Sequence, residues 1–295
     1  MKEVTSIYKH HLSFTERCAE HDHNNTFKKM MRDLHAVGYK GIKGQSILDL
    51  GCGTRYSLAL QLAANGANVT ALDVDYIITD WLPLSIYRII KKGGILRAIK
   101  AAVRRILFDK RYYRTLEKVA GQSLLNFRKK ITFVVAEAEK LYPLPDESFD
   151  LIVAIAVLEH VTDVRLFASE VKRMLKPGGY FYAIIHNFYS LSGGHHPEWA
   201  FPDEHPSKIV PPWDHLRANR FPVSAYLNKL RPEQYLDIFG GKLQIIIFEG
   251  RDLNHDAGGL EGESLLTKEI YQELSQYPKD HLLNRDWCMI GFKSE

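Results

Sequence analysis

The segment Leu48–Thr54 (LDLGCGT) is the feature that most constrains how this 295-residue chain can fold. It ends a short apolar run, Ser46–Leu50, and precedes a run with helical periodicity that starts at Tyr56. Gly51 and Gly53 allow a tight turn and let a ligand approach the backbone. The helix N-terminus beyond them offers unpaired N–H groups to a carboxylate. The segment therefore predicts a buried strand, a ligand-binding turn and a helix.

The rest of the chain alternates between strand-like and helix-like runs. Predicted strands cover residues 46–50, 68–73, 131–135, 149–155, 180–185, 243–248 and 287–292. Predicted helices cover residues 26–38, 56–65, 164–175, 222–239 and 264–275. Such alternation is typical of an α/β fold, here a doubly wound, mostly parallel seven-stranded sheet with helices on both faces. The last two strands can pair as an antiparallel edge.

Domain organisation and composition give further expectations. We predict one domain over residues 1–295, with an N-terminal helical cap (1–45) and a basic helical insertion after the second strand (76–128). Hydrophobic residues make up 45% and the net charge is +4, which is ordinary for a globular protein. The three cysteines, Cys18, Cys52 and Cys288, form no CxxC pair, which argues against disulfides and structural zinc. No signal peptide or membrane-spanning run is apparent, so we expect a cytoplasmic protein, with peripheral association with the membrane as a further alternative.

Two carboxylates accompany the glycine turn. Asp73 ends the second predicted strand about twenty residues after the turn, where a carboxylate can accept both hydroxyl protons of a ribose. Asp49 lies at the end of the first strand and can order the turn or receive an ammonium group. The alternative is a tight turn with a capping Asp, but the strand–turn–helix context with an acidic strand end favours a cofactor site.

Four motifs in order, LDLGCGT, TALDVD, AEAEKLYPLPDESFDLIVAIAVLEHV and LKPGGYFYAI, resemble those of class I S-adenosylmethionine (SAM) dependent methyltransferases, in particular the methyltransferase type 11 group. The resemblance covers residues 46–187 and implies a Rossmann-like fold with SAM as cofactor. It implies that Glu137 takes the adenine amino group and that the Ala138 backbone N–H meets the adenine ring. The implied cofactor-binding residues are Asp49, Gly51, Cys52, Gly53, Asp73, Val74, Glu137 and Ala138. Many members have a glycine where this chain has Arg55, which either meets the methionine carboxylate or points to solvent.

The acceptor of the methyl group is constrained mainly by motifs that the sequence lacks. The segment Ala154–Val161 contains neither the Asn/Asp-Pro-Pro-aromatic signature of exocyclic base methylation nor the Pro-Cys nucleophile of base C5 methylation. A small-molecule or glycan/lipid-linked acceptor remains, with O-methylation favoured, and the C-terminal part resembles members linked with cell-surface polysaccharide enzymes. The alternatives are a non-catalytic SAM-binding regulatory protein and, less favoured, an RNA methyltransferase.

Histidines concentrate at predicted strand ends and in the segment that follows. The candidate catalytic residues are His160, His186, His195, His196 and His215. Residues 186–242 would then form an acceptor-side loop and helices, with Trp199, Trp213 and Tyr189 as walls and Gly193-Gly194 as the hinge of a lid. The alternative is an ordered loop whose histidines only make hydrogen bonds. We expect no metal site, because adjacent histidines do not converge easily and no His-x3-His pair is present.

The predicted insertion carries a strong positive charge. Eleven Lys or Arg residues between Trp81 and Ala120 stand against Asp109 and Glu117. The spacing of Ile95, Ile99, Val103 and Leu107 predicts an amphipathic helix. Its apolar stripe either packs on the core or contacts an anionic lipid or membrane surface through residues 81–120. Nucleic acid is the least favoured partner, because no RNA-binding motif accompanies the charge.

Overall fold

A computed structural model describes residues 14–74, 87, 90–91, 94–95, 98–99, 102, 105–136, 144–200, 202, 206–251 and 260–294. The chain divides into two compact units, Met1–Ala138 and Glu139–Glu295. That residues 1–295 form a single domain stays a prediction.

A seven-stranded mixed sheet confirms the predicted fold class. The strands are β1 (Ser46–Leu50), β2 (Asn68–Asp73), β3 (Thr132–Val135), β4 (Phe149–Ile155), β5 (Leu175–His186), β6 (Gln244–Arg251) and β7 (Asp286–Phe292). Their order is β3-β2-β1-β4-β5-β7-β6. Strand β2 pairs in parallel with β1 and β3, and β4 with β5. Strand β7 is antiparallel to both β5 and β6, which confirms the pairing of the last two strands; β6, and not β7, is the edge.

The helices of the first unit surround β1 and β2. They are α1 (14–21), a π-helical stretch (Asp22–Lys28), α2 (Lys29–Ala36), α3 (Ser57–Ala64), a second π-helical stretch (Arg105–Asp109), α4 (Lys110–Ala120) and a 3-10 segment (Leu125–Lys130). Asp22 joins three of these elements, because its carboxylate accepts hydrogen bonds from the hydroxyls of Ser57 and Tyr112. Tyr112 is fully buried at this junction. The N-terminal helices therefore pack on the helix that follows the glycine turn.

The second unit contains four α-helices among its described residues. They are α5 (Val164–Met174), α6 (Pro232–Gly240), α7 (Lys268–Glu273) and α8 (Lys279–Leu283). The predicted helix near 222–239 is wrong in its first half, since residues 222–231 are irregular and α6 begins only at Pro232. Proline fits the first turn of a helix, and the Gln234 side chain accepts a hydrogen bond from the Arg231 N–H, so the start is well defined.

The Lys-Pro-Gly-Gly segment after α5 does not form a separate turn. It belongs to β5, where Phe149 pairs with Leu175 but Leu151 pairs with Tyr180, so the segment forms a bulge. Gly178 has φ +78°, a conformation that favours glycine. The bulge lets α5 lead directly into the strand.

The insertion exposes several large apolar side chains that the packing prediction would bury. Ile95 is 63% exposed, Ile99 53% and Leu107 44%, whereas Ala98 is only 2% exposed. The small alanine, and not the isoleucine stripe, faces the interior, so the predicted packing of that stripe on the core is wrong for these residues. Val103 lies outside the described residues. Among the helices that the structure describes, none is long and apolar enough to cross a membrane.

Candidate functional site

The glycine turn between β1 and α3 is held by hydrogen bonds to the end of β2. The N–H groups of Gly51 and Cys52 both donate to the Leu72 carbonyl, at 2.8 and 3.0 Å. The Gly53 N–H donates to Oδ2 of Asp73 at 2.9 Å. Gly51 and Gly53 have φ +67° and +66°, which L side chains rarely adopt. The two predicted glycines and the predicted carboxylate therefore form one connected turn.

The surface above Gly53 is open. A Cβ placed on Gly53 would meet no protein atom within 4 Å. The glycine is thus required by its backbone conformation and not by crowding from the protein, which leaves space for a ligand.

Asp49 is a buried carboxyl group that is only partly hydrogen-bonded. It is 2% exposed, and its Oδ2 has no hydrogen-bond partner among the described residues. Burial raises its pKa from 3.8 to about 8, opposed by the Ala59 N–H and reinforced by the charge of Asp73. Burial also raises the pKa of the Cys52 thiol, with the charges of Asp49 and Asp73 adding to the effect. The environment of the turn therefore favours the protonated, neutral forms of both Asp49 and Cys52.

Apolar side chains are exposed at the carboxyl ends of β2 and β3. Val74 is 55% exposed and Val135 is 45% exposed. Asp73 pairs with Val135 across the two strands, and the Ala136 N–H donates to the Asp73 carbonyl. Glu137 and Ala138, the predicted adenine contacts, follow directly but lie outside the described residues.

Arg55 does not point to solvent, since its side chain is 25% exposed. Its Nε lies 3.2 Å from Oδ1 of Asp109, and its guanidinium lies 4.3 Å from the centre of the Tyr112 ring. Its backbone carbonyl accepts a hydrogen bond from the Tyr113 hydroxyl. Arg55 thus ties the glycine turn to α4 and the residue before it.

In the second unit, the chain turns sharply after β4. Ala156 has φ +53°, and a 3-10 turn, Leu158–His160, follows. Asn228 holds this turn, because its Nδ2 donates to the carbonyls of Leu158 and Val161 and its N–H donates to that of Glu159. Sequence analysis did not identify Asn228, since its role depends on a contact between segments about 70 residues apart.

Three of the five candidate histidines form one cluster beside Glu159. The ring centres of His160 and His195 are 5.0 Å apart, and those of His186 and His195 are 4.5 Å apart. Glu159 is 2% exposed, and neither of its carboxylate oxygens has a hydrogen-bond partner among the described residues. Burial raises its pKa to about 8, an effect opposed by nearby backbone N–H groups and reinforced by Asp286. Glu159 was not among the predicted site residues.

His186 belongs to a hydrogen-bonded chain that ends at Arg285. Its Nε2 lies 3.1 Å from Oγ of Ser192, whose hydroxyl donates to Oε2 of Glu261. Arg285 donates to Oε1 of Glu261, which is fully buried. Burial, with the nearby Arg285 charge, holds the pKa of His186 well below its usual range. His186 is therefore a neutral imidazole, and Ser192, Glu261 and Arg285 are residues that sequence reasoning missed.

The other two candidates, His196 and His215, line a separate cavity of about 120 Å³. Its walls also include Trp199 and Phe188. The His215 Nε2 lies 2.8 Å from the Phe188 carbonyl, and burial lowers the pKa of His215 to about 4. Of the predicted walls, Trp199 lines the cavity, whereas Trp213 is fully buried in the apolar core next to it. Tyr189 is also buried, and its hydroxyl donates to the Lys229 carbonyl.

Gly193 and Gly194 are sites of close approach. A Cβ on Gly193 would lie 2.2 Å from the Phe188 carbonyl oxygen, and one on Gly194 would lie 2.7 Å from the His215 ring. The pair is thus explained by tight packing and not by the hinge that the sequence suggested. Asp203, Glu204 and His205 of this stretch lie outside the described residues.

Comparison with known proteins shows similarity to methyltransferases. Residues 110–183, from α4 into β5, match the family model of the methyltransferase domain. A sterol 24-C-methyltransferase, ERG6B, of Gibberella zeae is 27% identical over 169 residues, which are 57% of this chain and 32% of that protein. A probable S-adenosylmethionine-dependent methyltransferase of Mycolicibacterium smegmatis is 44% identical over 52 residues, 18% of this chain and 20% of that protein.

The chain spans a third or less of the length of these curated relatives. Among solved structures, a S-adenosylmethionine-dependent methyltransferase from Mesorhizobium loti is similar with a TM-score of 0.47 and 18% identity, covering 88% of this chain and 96% of that one. The family-model match begins after the glycine turn. The assignment of that turn to a cofactor therefore depends on its own geometry.

Proposed function

We propose that this chain is a class I SAM-dependent methyltransferase that binds SAM at the glycine turn and transfers the methyl group to a small-molecule or glycan-type hydroxyl. The match of residues 110–183 to the methyltransferase domain family supports this proposal. The observation that supports this best is the bond between the Gly53 N–H and Asp73. It places an acidic strand end against a glycine turn that is open above Gly53. SAM supplies an electrophilic methyl group on a sulfonium when it is bound.

The residues of the first unit fit the three parts of SAM. The unpartnered Oδ2 of Asp49 is a partner for the amino group of the methionine moiety, and a positive charge there would compensate the buried carboxylate. Asp73 can accept hydroxyl protons of the ribose. The exposed side chains of Val74 and Val135 offer an apolar surface for the adenine ring. Glu137 and Ala138 keep their proposed roles at the adenine edge.

The histidines of the second unit supply hydrogen-bond acceptors. Neutral imidazoles can take a proton from a hydroxyl acceptor, and burial keeps the pKa values of His186, His195 and His215 below the usual range. We assign the acceptor to this unit, with His160, His186 and His195 at the reacting hydroxyl and with His196 and His215 at the cavity. Trp199 lines the same cavity, and its indole N–H is buried without a partner among the described residues.

The insertion supports an acceptor attached to a lipid or presented at a membrane surface. Ile95, Ile99 and Leu107 are exposed within the most basic part of the chain. Apolar side chains flanked by cations favour binding to anionic lipid. A glycan carried on an anionic lipid combines a hydroxyl acceptor with such a surface.

Calorimetric titration of the purified protein with SAM tests the proposal. A separate titration with NAD is the comparison, because dinucleotide-binding enzymes share a glycine-rich turn after the first strand. Micromolar binding of SAM without a response to NAD is the expected result, and a screen of glycans and lipid-linked sugars for methyl transfer then follows. Absence of SAM binding would overturn the cofactor assignment. SAM binding without transfer to any glycan, lipid-linked or small-molecule hydroxyl would overturn the acceptor assignment and favour a SAM-binding regulatory protein.

A further inference from the structure

The side chains of Glu159, His160 and His195 bring three potential metal ligands together. One ligand atom from each, a carboxylate oxygen and two imidazole nitrogens, lies within 4.8 Å of the other two. The Nε2 atoms of His160 and His195 lie 4.0 and 3.9 Å from Oε1 of Glu159. All three residues belong to the second unit.

The hydrogen bonds of the two histidines determine which nitrogen faces the carboxylate. The His160 Nδ1 lies 2.9 Å from the Tyr226 carbonyl, and the His195 Nδ1 lies 3.2 Å from the Gly193 carbonyl. A carbonyl oxygen can only accept a hydrogen bond, so in each neutral ring the proton is on Nδ1. Each Nε2 therefore presents a lone pair toward Glu159. A backbone carbonyl on the other ring nitrogen is the usual way in which a metal-binding histidine is oriented.

Two imidazole lone pairs consequently face the buried carboxyl group of Glu159. The separations of 3.9 and 4.0 Å are too long for a proton shared directly between nitrogen and oxygen. They are close to the spacing of about 3.4 Å that a tetrahedral ion with bonds of about 2.0–2.1 Å requires. A shift of a few tenths of an ångström in each side chain would close the difference.

We propose that Glu159, His160 and His195 form a binding site for a divalent transition-metal ion of the zinc type. Two imidazoles and one carboxylate suit such ions, whereas magnesium and calcium prefer oxygen ligands alone. Three protein ligands leave at least one coordination position for water or another oxygen. The His160 side chain is 41% exposed and that of His195 is 23% exposed, so the ion can enter from solvent while Glu159 stays buried.

Sequence analysis expected no metal because adjacent histidines do not converge easily, and it did not consider Glu159. The proposed site uses only His195 of the pair His195-His196 and adds the adjacent residues Glu159 and His160. The 3-10 turn after Ala156 directs both toward His195, which itself has φ +56°. If the proposed function holds, the open position would receive the acceptor hydroxyl, whose pKa a bound metal ion lowers. His160 and His195 would then act as metal ligands, and His186 would be the cluster histidine left to take the proton.

Zinc titration of chelator-treated protein tests the site without using activity. We expect one zinc ion per chain by calorimetry, and cobalt in its place should give visible absorption bands of a low-symmetry site. Glu159→Gln and His195→Gln should each weaken zinc binding by about 100-fold. The matched controls Glu198→Gln, an exposed carboxylate of the same loop, and His35→Gln, an exposed histidine of α2, should bind zinc as the wild type does.

Circular dichroism establishes whether each variant is folded. If Glu159→Gln or His195→Gln is not folded, His160→Gln replaces it, because His160 is the most exposed of the three ligands. Equal zinc binding by the wild type and the folded ligand variants, or absence of stoichiometric binding by the wild type, would overturn the site. SAM titration of the same metal-free samples is a separate readout. Zinc binding without SAM binding would retain the metal site and reject the proposed function. SAM binding without zinc binding would reject the metal site and retain the proposed function.

Discussion

The backbone N–H of Gly53 donates to the carboxylate of Asp73 at 2.9 Å, and this bond joins the turn after β1 to the end of β2. Asp73 thereby has a structural role in addition to the proposed contact with the ribose. A substitution at this position should affect ligand binding more than folding, since two further bonds from Gly51 and Cys52 to Leu72 also hold the turn.

We expect Asp73→Asn to weaken SAM binding by about tenfold or more while the protein stays folded. The amide keeps the size of the side chain but loses the charge-assisted hydrogen bonds to a ribose, each of which contributes about 1.5–3 kcal/mol. Calorimetry measures the affinity, and thermal unfolding tests the fold. Asp237→Asn, on the exposed face of α6, is the control and should leave both unchanged. Wild-type affinity in Asp73→Asn would remove this residue from the site.

The affinity for SAM should rise with pH up to about 8. Burial raises the pKa of Asp49 from 3.8 to about 8, so below pH 8 the folded protein without ligand holds a proton on this carboxyl group. An ammonium group favours the ionised form, so binding releases that proton, and the dissociation constant should fall by up to about tenfold per pH unit between pH 6 and 8. Calorimetry in buffers of different ionisation enthalpy counts the released proton. Asp49→Asn should bind SAM weakly, with no pH dependence in this range.

The same group has an effect on stability whose sign is opposite to that of an ordinary carboxylate. Between about pH 4 and 8 the unfolded chain has lost the Asp49 proton that the folded chain keeps, so the free energy of unfolding falls as pH rises. This contribution is fully present below pH 4 and lost at pH 8. Asp49→Asn should therefore reduce the pH dependence of unfolding by urea over that range, and the similarly raised pKa of Glu159 should account for part of what is left. An unchanged slope would contradict the assigned proton.

Gly193→Ala should destabilise the protein by at least about 1–3 kcal/mol, because the new methyl group would lie 2.2 Å from a backbone carbonyl oxygen that cannot move independently. Gly240→Ala is the matched control, since a Cβ there meets no atom within 4 Å and the position is helical, where alanine is favoured over glycine. Urea unfolding of both variants gives the comparison. Equal stabilities would show that the loop adjusts freely and would restore the hinge interpretation of Gly193.

The elements with strong local patterns were predictable from the sequence. The glycine turn at Gly51 and Gly53 follows a buried strand, and its conformation depends on residues that are adjacent in the chain. The helix α3 was likewise predicted to within a residue at each end. The irregular segment before α6 was not predicted. Asn228 holds this segment through contacts with a turn that is distant in the sequence, and Pro232 sets the start of the helix; apolar periodicity shows neither feature.

The residues of the candidate site also differ in whether local sequence patterns could identify them. Asp49 and Asp73 could be identified because each ends a predicted strand. The partition of the histidines into two groups could not, since His195 and His196 are adjacent but face different surroundings. His195 lies against Glu159, whereas His196 lines the cavity and accepts a hydrogen bond from the Glu198 N–H. His195 has a φ of +56°, and no local sequence signal indicates this conformation.

Because His195 lies against Glu159 and His196 lines the cavity, we expect substitutions of these two histidines to have different kinetic effects. His195→Gln should lower kcat by about 100-fold or more, because a group at the reacting hydroxyl contributes about 10²–10⁴ to the rate. His196→Gln should mainly raise KM for the acceptor, because this side chain lines the cavity and does not contact Glu159 in the structure. Steady-state kinetics with the acceptor from the screen separates the effects, and calorimetry should show wild-type SAM affinity in both variants. Loss of SAM affinity in either variant would assign that histidine to the cofactor site, and equal kinetic effects would contradict the division into a reacting cluster and a binding cavity.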